Sequence, residues 1–337
     1  MIATYLHRID PIAISIWGNL AIRWYGLSYL LGFIVAYTIV RHLSRRGCAQ
    51  LAPPQVMDLV FVIAVGVLAG GRIGYALFYQ PDLFIGFSAQ VPFWELLAIN
   101  KGGMASHGGL IGILLAALWY ARRHGFSFLH VIDLATFAGA PGMFFGRIAN
   151  FINGELFGRP CRPDFPLAVK FPQEMRDWGP EPVLMLQDRL APLAPPVPPT
   201  DLVSWAIEQI QEGNRKIIDI VELMPELKAR HPSQLYQAIL EGLMLFVVLA
   251  IAWSRPRKPG IIFGLCCCTY GVGRIVGELF REPDSHIGFH TIAGHSFTRG
   301  QSLSALMVVA GIGVLAVCSR RNVKRLGGWR RSAHSGS

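Results

Sequence analysis

The sequence predicts an all-α protein that crosses a membrane about seven times. Three observations support this: the composition, a series of long uncharged runs, and the placement of basic residues. Of the 337 residues, 52% are hydrophobic and only 15% are charged, and the mean hydropathy is +0.41. A soluble domain usually carries about 25% charged residues. So little charge leaves too little polar surface to cover a water-soluble body.

Seven apolar segments have about the length of a membrane-spanning helix, which needs roughly 20 residues to cross the hydrocarbon core. They are predicted at residues 20–40, 56–78, 103–121, 127–147, 234–254, 260–280 and 301–319. Several reach this length only by including a charged residue, such as Arg72. The first residues, M-I-A-T-Y-L-H-R-I-D-P, lack the basic start and cleavage site of a signal peptide, so the first span should be retained.

The orientation follows from short basic loops, which mark the cytoplasmic side of a membrane protein. Such loops follow the first, third, fifth and seventh spans, at 41–47, 121–125, 254–260 and from Ser319 onward. The N-terminus is therefore predicted outside and the C-terminus in the cytoplasm. These loops and the tail also account for the net charge of +10. A nucleic-acid partner is not expected, since no basic domain interleaved with aromatic residues is present.

Four regions follow along the chain. Residues 1–149 hold spans one to four, 150–233 a polar segment and an outer-face (periplasmic) arm or loop, 234–319 spans five to seven, and 320–337 a basic cytoplasmic tail. The arm contains a proline-rich run, A-P-L-A-P-P-V-P-P-T, and then a polar helical pattern over 201–211. We expect it to be a small outer domain that is partly loop.

Three arginines lie inside predicted spans, each in the tripeptide Gly-Arg-Ile. Arg72, Arg147 and Arg274 all fall toward the outer end of an even-numbered span. Charged residues are costly in a bilayer and usually functional. A single arginine could extend to the lipid headgroups, but three beside glycines at similar depth favour an anion site. A guanidinium matches phosphate oxygens in pairs and keeps its proton.

Other polar residues accompany two of these arginines. Tyr270, Arg274 and Glu278 have helical spacing and should share one face, either as a catalytic group or as an ion pair that orients two helices. Asn150, Asn153 and Glu155 follow Arg147 closely, either as ligands for a polar headgroup or as a capped helix end.

Histidines and cysteines do not indicate a metal. His107, in G-G-M-A-S-H-G-G-L, is either a structural residue or an accessible proton acceptor. His286, His290 and His295 share one predicted loop but lack nearby cysteines or an acidic partner motif. The six cysteines form neither a C-x-x-C motif nor a disulfide pattern. No metal or other cofactor is therefore expected.

Several motifs resemble those of the bacterial phosphatidylglycerol–prolipoprotein diacylglyceryl transferases. The longest is G-R-I-A-N-F-I-N-G-E-L-F-G-R-P at 146–160. The others are I-R-W-Y-G-L at 22–27, R-I-G-Y-A-L-F-Y at 72–79, H-G-G-L at 107–110, H-P-S-Q-L-Y at 231–236 and Y-G-V-G-R-I-V-G-E-L-F-R-E-P-D at 270–284. They occur in order and cover nearly the whole membrane portion. The chain departs from the family pattern at Ala149, at Cys161 and in a long stretch between 171 and 231.

The resemblance implies an activity and a set of site residues. The family moves the diacylglyceryl group of phosphatidylglycerol onto the lipobox cysteine of a preprolipoprotein, at the outer face of the bacterial cytoplasmic membrane. This forms a thioether, releases glycerol 1-phosphate and is the first step of lipoprotein maturation. The residues matching its functional positions are His107, Tyr25, Tyr270, Arg274, Glu278, Arg147, Asn150 and Gly158. The catalytic residues are predicted to be His107, Tyr25, Tyr270, Arg274 and Glu278. The residues predicted to bind phosphatidylglycerol are Arg147, Asn150 and Gly158, together with Arg72, Asn153 and Glu155.

The residue types suit this reaction, although two other functions are consistent with the sequence. Thiolate is the nucleophile, so a base such as His107 near the cysteine would help. Fixed arginines would stabilise the departing phosphate oxygen. A secondary transporter or channel with an intramembrane Arg/Glu/His pathway is the main alternative, but such proteins often have matched halves that this sequence lacks. A non-catalytic assembly factor is the third possibility.

Overall fold

The computed structural model describes residues 4–17, 20–89, 91–99, 102–196, 198–282, 289–292 and 295–329. The long helices are α1 (Trp24–Arg45), α2 (Gln55–Phe78), α3 (Ser106–His124), α4 (Phe128–Asn153), α10 (Ile261–Glu278) and α11 (Arg299–Arg320). A further helix consists of α8 (Ser233–Gln237), a π-helical turn (Ala238–Leu243) and α9 (Met244–Trp253). Each predicted span coincides with one of these helices. The largest difference is at the end of α4, which is predicted at residue 147 and found at Asn153.

Within the described residues, six helices are long and apolar enough to cross a membrane. They are α1, α2, α4, the continuous helix Ser233–Trp253, α10 and α11. The chain is therefore mostly helical and has the character of a polytopic membrane protein. The remaining predicted span, α3, has 19 residues and is not one of the six. It begins Ser-His-Gly-Gly and ends Arg-Arg-His, and these ends lower its hydropathy.

The chain divides into two units, and the first comprises residues 1–31, 142–245 and 269–308. Its strands are short. β1 (Tyr5–Leu6) runs parallel to β4 (Val169–Lys170), which pairs antiparallel with β5 (Ala229–Arg230). Two antiparallel hairpins are formed by β2 (Ile12–Trp17) with β3 (Leu20–Arg23), and by β6 (Phe289–Ile292) with β7 (His295–Thr298).

The stretch between β4 and β5 folds as a helical module with its own core. It contains α5 (Pro180–Leu190), α6 (Pro199–Gln211) and α7 (Arg215–Glu222). Their apolar faces bury one another around Leu186, Leu190, Ile207, Ile210, Ile217 and Val221. α6 matches the predicted helical pattern at 201–211. α5 and α7 are not predicted from the sequence, because each is a short amphipathic helix that depends on this shared core.

The second unit comprises residues 32–141, 246–268 and 309–337, and close packing of α2 on α3 is its main feature. A Cβ added to Gly66 would lie 2.6 Å from the Gly112 carbonyl oxygen, and one added to Gly74 would lie 2.8 Å from the Gly108 Cα. Gly70 is equally tight, since its Cβ would lie 2.8 Å from the Gly112 Cα. The glycines at four-residue spacing therefore allow direct backbone contact between the two helices.

Candidate active site

The centre of the polar cluster in the first unit is Glu241, a residue that the sequence analysis missed. Its side chain is fully buried. Arg147 of α4 donates from Nε and Nη2 to one carboxylate oxygen, Oε2, at 3.1 and 2.6 Å. Arg274 of α10 donates from Nη1 to the other oxygen, Oε1, at 3.3 Å. One carboxylate thus holds two of the predicted arginines together.

The backbone around Glu241 explains this position. Glu241 belongs to the π-helical turn Ala238–Leu243, a type of irregularity that is frequent at functional sites. Gly242 lies directly against α4, since a Cβ there would stand 2.5 Å from the Phe144 Cα. Gly273 of α10 is close to the same turn, and its Cβ would lie 3.1 Å from the Leu240 carbonyl oxygen. The two glycines let three helices approach closely enough for the ion pairs to form.

The network continues from Arg274 to the start of α11. Arg274 Nη2 lies 3.3 Å from Glu278 Oε2, one helical turn further along α10. The Thr298 hydroxyl donates to Glu278 Oε1 at 3.2 Å. Thr298 also caps α11, because Thr298 Oγ1 accepts from the Gln301 amide and Gln301 Oε1 accepts from the Thr298 amide, both at 3.1 Å. Glu278 is therefore held at the positive end of a capped helix.

Tyr270 completes the cluster on the Arg147 side. Its hydroxyl is close enough to the Arg147 guanidinium for the two groups to interact electrostatically. The structure thus brings Tyr270, Arg274 and Glu278 to one face of α10, as their spacing indicated, and adds Arg147 from α4. Of the five N–H donors of Arg147, two bond to Glu241 in the described part of the chain. Donors therefore remain for an anionic ligand.

The segment after Arg147 forms a tight turn at the end of α4. Asn150 is buried, and Glu155 is exposed and accepts a 3.3 Å hydrogen bond from the Asn153 side chain. Gly154, with φ of 66°, ends the helix in the left-handed region. These contacts match the second of the two alternatives considered for this segment, a capped helix end.

Gly158 has a steric role in the structure. Its amide donates to the His231 carbonyl oxygen at 3.0 Å, and its own carbonyl accepts from Arg230 Nη1 at 3.1 Å. A Cβ here would collide with the His231 carbonyl oxygen and stand 2.7 Å from the Phe280 carbonyl oxygen. Only glycine fits where these backbone segments cross.

A buried ion pair ties the helical module to this crossing. Arg230 pairs with the buried Glu174 and lies over the Phe157 ring, with its guanidinium carbon 4.7 Å from the ring centre. Burial raises the pKa of Glu174, and the nearby Arg230 charge opposes that rise. The carboxylate consequently depends on Arg230 for compensation.

Tyr25 lies in the first unit but outside the described contacts of the arginine cluster. It is the second residue of α1, half-buried, and its ring is 5.2 Å from that of Tyr29.

Arg72 and His107 lie in the second unit. Arg72 is buried, and its guanidinium donates to five backbone carbonyls, those of Glu95, Leu96, Ala98, Gly102 and Gly103. These bonds use the full donor set of the guanidinium, so the side chain orders the loop that leads into α3. His107 is the second residue of α3 and is exposed.

The described residues contain no group of three or more His, Cys, Asp or Glu that could hold a metal ion. His286 and the side chains of His290 and His295 lie outside the described residues.

The fold and this cluster define a class: a polytopic membrane protein with a buried arginine–glutamate network that has donors free for an anion. The model of the prolipoprotein diacylglyceryl transferase family matches residues 11–317. The chain is 44% identical to a protein of Bdellovibrio bacteriovorus over 97% of each chain, and 40% identical to one of Rhodospirillum centenum over 91% of each. Both relatives are named phosphatidylglycerol–prolipoprotein diacylglyceryl transferase. The chain therefore belongs to the prolipoprotein diacylglyceryl transferase family, a family of membrane transferases, and the resemblance found in the sequence is confirmed.

Proposed function

We propose that this protein transfers the sn-1,2-diacylglyceryl group of phosphatidylglycerol to the thiol of a lipobox cysteine in preprolipoproteins. Family membership over nearly the whole chain carries the proposal. The Arg147–Glu241–Arg274 cluster supports it, because the substrate is an anionic lipid and the cluster offers guanidinium donors in a buried setting. No comparison supports a transporter, channel or assembly factor.

The reaction is a displacement at a saturated glycerol carbon. The thiolate sulfur forms a bond to the sn-3 carbon of the diacylglyceryl group, and the bond from that carbon to the phosphate oxygen breaks. The electron pair goes to the oxygen, and glycerol 1-phosphate leaves. Arg147 is the proposed principal ligand of the phosphate, with Arg274 assisting, because fixed cations stabilise the charge that develops on the leaving oxygen. Glu241 and Glu278 hold the two guanidiniums in place.

The thiol proton needs an acceptor, and His107 is the proposed base. It is exposed at the start of α3, and histidine accepts protons near neutral pH. Tyr25 and Tyr270 are proposed as further catalytic side chains, and Asn150, Asn153 and Glu155 as contacts of the lipid headgroup. For Gly158 we propose a steric role beside the site. For Arg72 the donation to carbonyls favours a role in ordering the loop before α3.

The proposed location is the bacterial cytoplasmic membrane, with seven spans that include α3. The N-terminus and the active site would face outward and the C-terminus the cytoplasm. The basic loops after α1 and α3 support this orientation. The partners are then phosphatidylglycerol, preprolipoproteins with a lipobox cysteine, and the surrounding lipids.

Purified full-length protein in detergent, mixed with phosphatidylglycerol and a lipobox peptide, tests this function. We expect the peptide mass to rise by one diacylglyceryl group, and glycerol 1-phosphate to appear in equal amount. A peptide with serine in place of the lipobox cysteine is the control and should stay unmodified. An unmodified cysteine peptide, with folded protein and bound lipid, would contradict the proposal.

A further inference from the structure

Gln237 is a buried polar residue that the proposed reaction does not yet use. It is the last residue of α8, directly before the π-helical turn that carries Glu241, and its side chain is fully buried. Neither its amide oxygen nor its amide nitrogen has a hydrogen-bond partner among the described residues. Buried amides are nearly always paired, since leaving one unpaired is costly. Gln237 therefore has a full set of donors and an acceptor available for a ligand.

Gly277 places this amide beside the arginine cluster. A Cβ on Gly277 would lie 3.1 Å from Gln237 Cγ, 3.8 Å from its amide nitrogen and 3.5 Å from Glu241 Oε1. Glu241 Oε1 is the oxygen that accepts the hydrogen bond from Arg274. The Gln237 amide and Glu241 Oε1 thus lie against the same residue, Gly277. Because Gly277 has no side chain, it places no side-chain atoms between them.

The chemistry of the amide fits a hydroxyl-bearing group attached to the phosphate. An amide has two N–H donors and one acceptor oxygen, and each hydroxyl of a diol can both donate and accept. A cationic ammonium headgroup suits this position less well, because two guanidiniums lie nearby and an ammonium has no acceptor. A glycerol headgroup is also tied covalently to the phosphate, so it must lie close to whichever arginines bind that phosphate.

We propose that Gln237 recognises the terminal glycerol of the phospholipid and so determines headgroup specificity. Its amide hydrogen-bonds to the glycerol hydroxyls while Arg147 and Arg274 hold the phosphate. This inference rests on the proposed function, since it assigns a part of the same lipid to the same site. Gln237 is then a substrate-binding residue that contacts the glycerol, whereas Glu241, four residues further on, orients the arginines that hold the phosphate.

The test compares two lipids with identical acyl chains, phosphatidylglycerol and phosphatidylpropanol, whose headgroup has the same three carbons without the two hydroxyls. Full-length protein in detergent modifies a lipobox peptide with each lipid, and kcat/KM for the lipid is measured. We expect the wild-type protein to prefer phosphatidylglycerol by about tenfold or more, the value of one well-placed hydrogen bond. Equal use of the two lipids by the wild-type protein overturns the inference and leaves the transferase function standing. Inactivity with both would instead contradict the proposed function.

Variants assign the preference to Gln237. Gln237→Met keeps the shape of the side chain and should bring the ratio of the two kcat/KM values close to one. Gln234→Met is the matched control: Gln234 is equally buried, one turn earlier in α8, and its amide nitrogen, unlike that of Gln237, already donates to the Glu155 carbonyl oxygen at 2.7 Å. It should leave the ratio as in the wild type. An unchanged ratio in Gln237→Met, or a rise only in KM for the peptide, rejects headgroup recognition by Gln237. The wild-type ratio does not depend on the folding of any variant.

Discussion

At the residue scale, the chemistry is concentrated on guanidiniums whose orientation is set by carboxylates. Arg147 keeps two contacts to one oxygen of Glu241 while its side chain is 15% exposed, enough to meet a ligand from one side. A buried ion pair of this kind contributes little net stability, because desolvation offsets the attraction. Its value lies in holding the donors in a fixed geometry.

Arg147→Lys tests this geometry because it retains the positive charge but replaces the planar guanidinium, with its fixed N–H donors, by an ammonium group. A lysine ammonium cannot contact Glu241 and a phosphate through separate, rigidly spaced donors. We expect kcat/KM for phosphatidylglycerol to fall about a hundredfold, as when a fixed donor to a developing anion is removed. The exposed Arg162, with a side chain 85% accessible, gives the matched control Arg162→Lys, which should behave as wild type. Near-normal turnover of Arg147→Lys at equal expression would remove Arg147 from the phosphate site.

His107→Gln tests the proposed base. If His107 accepts the thiol proton, the variant should transfer slowly at pH 7 and recover partly at higher pH. The reason is that a free cysteine has a pKa of about 8.5, so thiolate forms unaided above that value. The measurement is the pH profile of kcat together with phosphatidylglycerol binding, which should not change. A defect that stays constant through pH 8.5, or that lies in lipid binding, would give the base role to Glu278 or Tyr25.

At the element scale, glycines decide which helices touch. Gly66, Gly70 and Gly74 of α2 meet Gly108 and Gly112 of α3 backbone to backbone. Backbones this close leave no room for a methyl group, and membrane helices gain their packing energy from such contacts. The same contact fixes the start of α3, which carries His107.

Gly112→Ala should therefore destabilise the α2–α3 pair. The added Cβ would collide with the Gly66 carbonyl oxygen, so the helices must separate, at an expected loss of about 1–3 kcal/mol in unfolding free energy. Gly139→Ala is the control within the same unit, because nothing lies within 4 Å of its Cβ position. It should be neutral or stabilising by up to about 1 kcal/mol. Thermal unfolding in detergent compares them, and equal midpoints for the two variants would contradict the packing argument.

His7 should make the three-stranded sheet of β1, β4 and β5 sensitive to acid. It follows β1, its amide donates to the Lys170 carbonyl oxygen, and its ring is fully buried between Phe151 and Phe171. Burial lowers the pKa of His7 from 6.5 to about 4. As the pH falls, His7 is therefore protonated in the unfolded chain before it is protonated in the folded one. Its contribution to the free energy of unfolding is complete above pH 6.5 and is lost between pH 6.5 and about 4. The complete loss in the free energy of unfolding is about 3 kcal/mol.

His7→Phe isolates this effect. Glu174 has a raised pKa and so acts in the opposite direction, since the folded state binds its proton more tightly. The difference between wild type and variant cancels that contribution. Amide exchange of residues 168–171, corrected for intrinsic rates, should accelerate in the wild type from pH 7 to 5 and should do so less in His7→Phe. The same acceleration in both would show that His7 is not responsible.

At the scale of the whole molecule, the distribution of basic residues predicts the orientation of the chain in the membrane. Every short loop that follows an odd-numbered span is basic, and the anionic cytoplasmic leaflet retains such loops on its side. The native cysteines are weak reporters, because Cys48 in the first basic loop is buried. Exposed positions in the same loops serve better.

Arg46→Cys and Arg162→Cys report the two sides of the membrane. Both arginines are exposed, the first in the loop after α1 and the second after the Gly158 crossing. In spheroplasts, a membrane-impermeant thiol reagent should label Arg162→Cys above the parent protein and should label Arg46→Cys only after lysis. Labelling of Arg46→Cys in intact spheroplasts would reverse the proposed topology.

The sequence by itself determined the membrane class, seven long helices and most residues of the cluster. Hydrophobic runs fix helices locally, and the motif at 146–160 is long enough to identify the family. Helical spacing alone placed Tyr270, Arg274 and Glu278 on one face. Glu241 is the only acidic residue of the predicted span 234–254, but nothing in its sequence context indicates which arginines it pairs with.

Only the tertiary structure decided which charges meet. Glu241 reaches Arg147 and Arg274 through a π-helical turn and through close contacts at a glycine of that turn and a glycine of α10, and no regular period encodes that arrangement. Arg72 looked equivalent to the other arginines, yet its donors go to the carbonyls of a neighbouring loop. α5 and α7 form because they share a core with α6. The physical reason is the same in each case: helix formation depends on near neighbours in the chain, whereas the partner of a buried polar group is set by contacts distant in sequence.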